Sequence, residues 1–135
     1  MNTEIVTEVA RATLSGSIAF PEVVRKLMET GVEYYQVDYV ALRKTFYSGT
    51  GDVVTTPIPY EGLPPVAADF DAAGVRAAIL DSQRHGRYRD FTRRAMQAGV
   101  LGYIAFLRGQ CVTYRGRGGD QHTEWFPGAG PLTSK

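Results

Sequence analysis

Shifted against itself by 68 residues, the sequence aligns residues 25–59 with 93–127 without a gap, and 10 of those 35 positions are identical. The identities include Gly31/Gly99, Val32/Val100, Tyr35/Tyr103, Thr45/Thr113, Gly51/Gly119 and Asp52/Asp120. Unrelated segments of this composition share only about two. The match constrains the fold more than any single residue does, because it makes the chain one supersecondary plan used twice. Upstream it continues at an offset of 66 (Val9/Val75, Ala12/Ala78, Leu14/Leu80), which places a two-residue insertion in the second copy.

The plan itself is readable from periodicity. Val6, Val9, Ala10 and Thr13 fall at helical spacing after Asn2 and Thr3, either of which can cap a helix over 4–14. Pro21 sits where a first helical turn tolerates it, ahead of Val23, Val24, Leu27 and Met28, and Gly31 supplies a left-handed end. Residues 32–38, 42–47 and 53–56 are rich in β-branched and aromatic side chains, with turn residues 48–52 before the third run, so a three-strand meander follows. The second copy predicts helices near 71–83 and 88–98 and strands near 100–106, 110–115 and 121–126. His85 then falls at a helix C-terminus.

A helix-helix-three-strand unit cannot cover its own sheet, so two copies join most simply into one antiparallel sheet with packed helices and pseudo-twofold symmetry. The class is α+β. A chain of 135 residues with 44% hydrophobic side chains suits a single domain. Its two repeats would cover about 1–59 and 69–127, joined by a proline-rich connector over 57–65 and followed by a flexible tail over 128–135. Residues 100–106 are apolar at both odd and even positions, so helices on both sides, or a partner copy, should cover that strand.

Charge and cysteine use narrow the setting. There are 15 basic and 14 acidic side chains, a formal charge of +1 and one cysteine, Cys111. The first residues lack a basic, apolar leader pattern, and the longest apolar run, 100–107, is too short to span a bilayer, so a cytoplasmic protein without a membrane span is expected. The charge is uneven: residues 1–68 carry a net −3 and residues 69–135 a net +4. Arg84, Arg87, Arg89, Arg93 and Arg94 cluster around the last expected helix. A solvated helix face explains them without nucleic acid, since no groove-reading motif accompanies them.

Three segments carry a family resemblance: Gly31-Val32-x-x-Tyr35-x-Val37-Asp38, then Lys44-Thr45-Phe46-Tyr47, then Tyr114-x-Gly116-Arg117-x-Gly119-Asp120-x-His122-x-Glu124-x-Phe126-Pro127. Together they resemble the YbcV-like family of short bacterial proteins of unknown function, whose members often carry the label phage envelope protein. The resemblance implies no activity, cofactor, ligand or catalytic residue.

Where the copies differ, a role can have been acquired. Val54 and Thr56 correspond to His122 and Glu124, and spacing of two puts imidazole and carboxylate on one face of a strand. A carboxylate there can orient a histidine as a general base, although a solvated pair at a sheet edge is the ordinary alternative. The adjoining turn offers Arg115, Arg117 and glycine amides to an anion, but it lacks the Lys-Ser/Thr and the strand-loop-helix setting of a P-loop. Glu33 and Asp38 form a second asymmetric acidic pair, facing opposite sides of their strand. Two histidines and one cysteine are too few for a zinc site without carboxylates, so no metal and no cofactor are expected.

These features predict a non-enzymatic binding or assembly module for a small anionic ligand or a protein partner. Its ligand site is expected at His122, Glu124, Arg115 and Arg117, with Asp38 contributing from the first copy. The alternative is a small-molecule enzyme using His122 and Glu124 as acid/base groups. A homodimer is expected from the doubly apolar strand, the opposed charges of the halves and the eight tyrosines.

Overall fold

The computed structural model describes residues 1–85 and 87–130. The first half holds α1 (Thr3–Ser15), α2 (Phe20–Glu29), β1 (Val32–Asp38), β2 (Arg43–Ser48) and β3 (Val53–Pro57). The second holds α3 (Ala72–His85), α4 (Tyr88–Gln97), β4 (Val100–Phe106), β5 (Cys111–Gly116) and β6 (Gln121–Trp125). The protein is α+β, and each element lies within two residues of its expected bounds. Asn2 is the cap of α1, its side-chain oxygen accepting from the Ile5 N–H at 3.1 Å. Of the tail expected over 128–135, residues 131–135 lie outside the described residues.

The six strands form one antiparallel sheet in the order β3-β2-β1-β4-β5-β6. The two meanders therefore meet through their first strands, β1 against β4, and run outward in opposite directions. A bulge interrupts β1 after Val32 and another interrupts β4 after Val100, shifting each strand's alternation once.

Beyond the bulges one face of the sheet is buried. It carries Tyr35 and Val37 on β1, Phe46 on β2, Tyr103 and Ala105 on β4, and Val112 and Tyr114 on β5. Against it pack Val6 and Val9 of α1, Leu27 of α2, Val75 and Ala78 of α3, and Ala95 and Met96 of α4, all in a single core. A period near 3.6 in the helices and of two in the strands is what lets each element present one apolar side to this layer.

The helices cover that face only, so of the two covers expected for β4, helices on both sides or a partner copy, the first is not found. Ile104 and Phe106 point to the other face and stay half-buried. Their partial shielding comes from the sheet itself: Tyr34 stacks on Tyr47 with ring centroids 4.8 Å apart, and Phe106 lies 6.3 Å from Tyr34.

After β3 the chain crosses one end of the sheet. Ile58 is buried and its N–H donates to the Leu42 carbonyl at 2.8 Å, while the N–H groups of Ala67 and Asp71 reach the carbonyls of Met96 (3.0 Å) and Ala98 (2.8 Å) at the end of α4.

Candidate functional site

His122 and Glu124 lie on β6, an edge strand, and alternation turns both toward the helix-covered face. His122 Nε2 stands 3.1 Å from Glu124 Oε1, with the imidazole side chain only 18% exposed. The His122 ring also faces that of Tyr114 on the paired position of β5, with centroids 6.4 Å apart and planes inclined by 29°. The pair is thus packed against an aromatic ring and is less solvated than an edge-strand setting implies.

The other three expected residues do not join it. Arg115 follows Tyr114 on β5, so the period of two sends it to the uncovered face, opposite His122. Asp38 ends β1 and turns its carboxylate on its own backbone, where Oδ1 accepts from the N–H groups of Val40 and Ala41 at 2.9 Å each. Arg117 lies in the β5–β6 turn and its Nη1 donates to the Val66 carbonyl at 3.3 Å. The five residues therefore do not form one cluster: His122 and Glu124 share the covered face, and Arg115, Asp38 and Arg117 each lie apart from them.

Arg117 borders a groove of about 620 Å³. Tyr39, Val40 and Leu42 form one side of it, Leu63, Pro64 and Pro65 the other. Arginines of α4 hold the connector that makes this second wall: Arg89 donates to the Glu61 carbonyl at 2.9 Å and Arg93 to the Gly62 carbonyl at 3.3 Å. Arg89 also lies over the Tyr60 ring at 5.5 Å, and the Tyr60 hydroxyl donates to the Leu14 carbonyl at 2.6 Å. Part of the arginine cluster thus serves the connector, and Arg94 pairs with Asp81 at 2.9 Å. Four of the five cations that the sequence grouped as one patch, Arg87, Arg89, Arg93 and Arg94, have separate intramolecular partners.

Sequence reasoning passed over Lys44. It points inward from β2 and is only 2% exposed, with its Nζ 4.4 Å from the centre of the Tyr88 ring. Burial pulls its pKa down from 10.5 to about 7, and no carboxylate pairs with it among the described residues. Around Tyr88 gather further phenols: Tyr103 shares a 2.6 Å hydrogen bond with Tyr88, and Tyr35 and Tyr39 pack on Tyr103. Burial raises the pKa of each of these tyrosines. The hydroxyl of Thr56 is buried without a hydrogen-bond partner among the described residues, and Thr56 is the cross-strand mate of Lys44. The signal in the sequence was Val112, which stands 68 residues after Lys44 and marks an inward position.

Two places thus stand out: a largely apolar groove bordered by the exposed guanidinium of Arg117, and a buried amine among phenols. Among the described residues no cluster of three His, Cys, Asp or Glu side chains could hold a metal ion. None of their helices is long and apolar enough to cross a membrane. The fold is that of a small α+β protein whose four helices lie on one side of a six-stranded antiparallel sheet. The chain belongs to the family described as protein of unknown function (DUF1398), which it matches over residues 16–122. That span takes in Lys44, Arg117 and His122 and ends before Glu124. No curated protein matches the chain.

Proposed function

We propose that the chain is a non-enzymatic binding module for a small ligand that joins an anionic group to an apolar body, held in the groove at Arg117. The observation that carries this reading is one guanidinium at the border of a groove of about 620 Å³ whose walls are otherwise largely apolar. Arginine presents a planar fork that fits a carboxylate, and Leu63, Pro64 and Val66 offer surface to the rest of the molecule. One Nη1 donor of Arg117 serves the Val66 carbonyl, and the guanidinium has five N–H donors in all.

A thermal-shift screen of straight-chain and aromatic monocarboxylates tests it. A ligand at about a hundred times its Kd should stabilise the protein by roughly 3 kcal/mol. Arg117→Ala should weaken binding by about tenfold or more, since a charge-assisted hydrogen bond is lost. His122→Val with Glu124→Thr should leave the shift intact. A shift that survives Arg117→Ala and disappears in the double variant would remove the groove reading in favour of the edge strand.

That outcome would support the second reading, an enzyme using His122 and Glu124, whose favourable observation is their 3.1 Å contact beside Tyr114. Neither member of the pair borders the groove.

We further read the chain as a YbcV-like bacterial protein of the cytoplasm, working as a homodimer. Its single domain is read as a duplication with the tail as an appendage. Three features spaced by the same 68 residues support the duplication: the bulges after Val32 and Val100, the positive φ of Leu42 (57°) and Gln110 (62°), and the repeated order of elements.

A further inference from the structure

On the uncovered face the strand register lines side chains up in three rows that cross all six strands. The first row runs Val53, Tyr47, Tyr34, Phe106, Cys111, Trp125, from β3 to β6, and is apolar throughout. The second alternates around Gln36 and Ile104 and is closed on each side by threonines, Thr45 and Thr55 against Thr113 and Thr123. The third holds Arg43, Asp38, Gly102 and Arg115. The face is therefore graded, from apolar at one end of the strands to charged at the other. Val53 is 55% exposed and Trp125 42%, the two largest apolar exposures on this sheet. A row of half-buried aromatic side chains that ends in exposed Val53 and Trp125 marks a surface that gains by being covered.

We propose that this face is a homodimer interface, in which two copies stack sheet on sheet about a twofold axis running along the strands. Such an axis keeps each row on itself and exchanges the two sides of the sheet, so β1 faces the partner's β4, β2 its β5 and β3 its β6. In the apolar row large side chains then meet small ones at both edges: Val53 lies opposite the partner's Trp125, and Tyr47 opposite the partner's Cys111. Tyr34 meets the partner's Phe106 at the centre, two rings that can pack edge to face. An axis across the strands through the middle row would set charged residues on aromatic ones. In the third row Arg43 comes opposite the partner's Arg115, so that row belongs to the solvated rim.

The area is adequate. Six strands spaced about 4.8 Å and three rows about 7 Å deep give a footprint on the order of 600 Å² before side-chain relief is counted. Stable interfaces take about 800 Å² from each partner. The stack shares no residue with the groove of Arg117, so it stands or falls independently of the ligand reading.

The test uses positions that cannot compensate within one chain. Val53 and Trp125 sit on opposite edge strands, about 24 Å apart at the usual strand spacing, and meet only across the axis. Sedimentation of the full chain at about 50 µM, in the range of weak interfaces, should give a dimer. Val53→Lys alone, or Trp125→Glu alone, should raise the dimer Kd about tenfold or more, and the two together in one chain should recover most of that loss. Both are surface positions, and an unchanged circular dichroism spectrum checks that the fold is kept. A monomeric wild type overturns the proposal, as does a dimer untouched by either single substitution. Failure of the double variant to recover overturns the axis along the strands.

Discussion

Gly99→Ala is expected to lower the stability of the protein by roughly 3–4 kcal/mol, at the upper end of what single substitutions do. Gly31→Ala, at the matching position of the first half, should lower it by only about 1 kcal/mol. Both glycines have φ of +94° after a helix, so alanine meets the same backbone strain at each. Their surroundings separate them. A Cβ on Gly31 meets nothing within 4 Å, whereas one on Gly99 comes within 2.3 Å of the Asp69 carbonyl oxygen and 2.9 Å of the Phe70 Cα. Backbone cannot swing away as a side chain can, and moving it would strain the 2.8 Å bond from the Asp71 N–H to the Ala98 carbonyl. Urea midpoints at constant slope measure both values. Equal losses at the two sites would mean that residues 69–71 yield freely and that the connector's docking contributes little.

Lys44→Met is expected to act in the other direction, raising stability near neutral pH by roughly 2–3 kcal/mol. No opposite charge pairs with the buried lysine among the described residues, and its pKa falls from 10.5 to about 7. A difference of that size corresponds to an unfavourable contribution of about 5 kcal/mol, offset in part by the contact with the Tyr88 ring, which methionine would lose as a cation–π pair. The pH dependence follows from which state holds the proton. Below about pH 7 the ammonium is charged in both states and its desolvation opposes folding in full. Between 7 and 10.5 the unfolded chain keeps a proton that the folded chain has released, so stability rises with pH. Above about pH 10 the buried phenols of Tyr35, Tyr39, Tyr88 and Tyr103 reverse the trend. Their folded pKa values lie above the ordinary 10, so the unfolded chain ionises first. Denaturant titrations from about pH 6 to about pH 11 should therefore show maximal stability near pH 10, well above the usual range. In Lys44→Met the rise from 7 to 10 should be gone. A wild type with no rise in that window would show that the folded chain keeps Lys44 charged and compensated.

Local pattern carried much of the architecture. The bounds of β1 and β4 were readable because Val32 to Asp38 and Val100 to Phe106 are dense in side chains that prefer extended backbone and sit between a glycine and a turn. The pairing of His122 with Glu124 was readable too, since a spacing of two guarantees a shared face whatever the rest of the fold does. Arg115 was misplaced by the same rule left unapplied: proximity to His122 in the chain was read as proximity in space. Arg117 escaped because its partner, the Val66 carbonyl, is a backbone group 51 residues away, on a connector whose path no periodicity encodes.

The sequence by itself determined the order of elements, the α+β class and, away from the bulges after Val32 and Val100, which residues of a strand share a face. These depend on backbone geometry and on side chains within a few positions of one another. Only the tertiary structure decided which parity faced the helices, that β1 would meet β4, and that Lys44 would be sealed among phenols while Arg115 stayed in water. Those outcomes depend on how much apolar surface each face can bury against elements distant in the chain. A lysine written between Arg43 and Thr45 looks like any surface cation until Tyr88 of α4 closes over it.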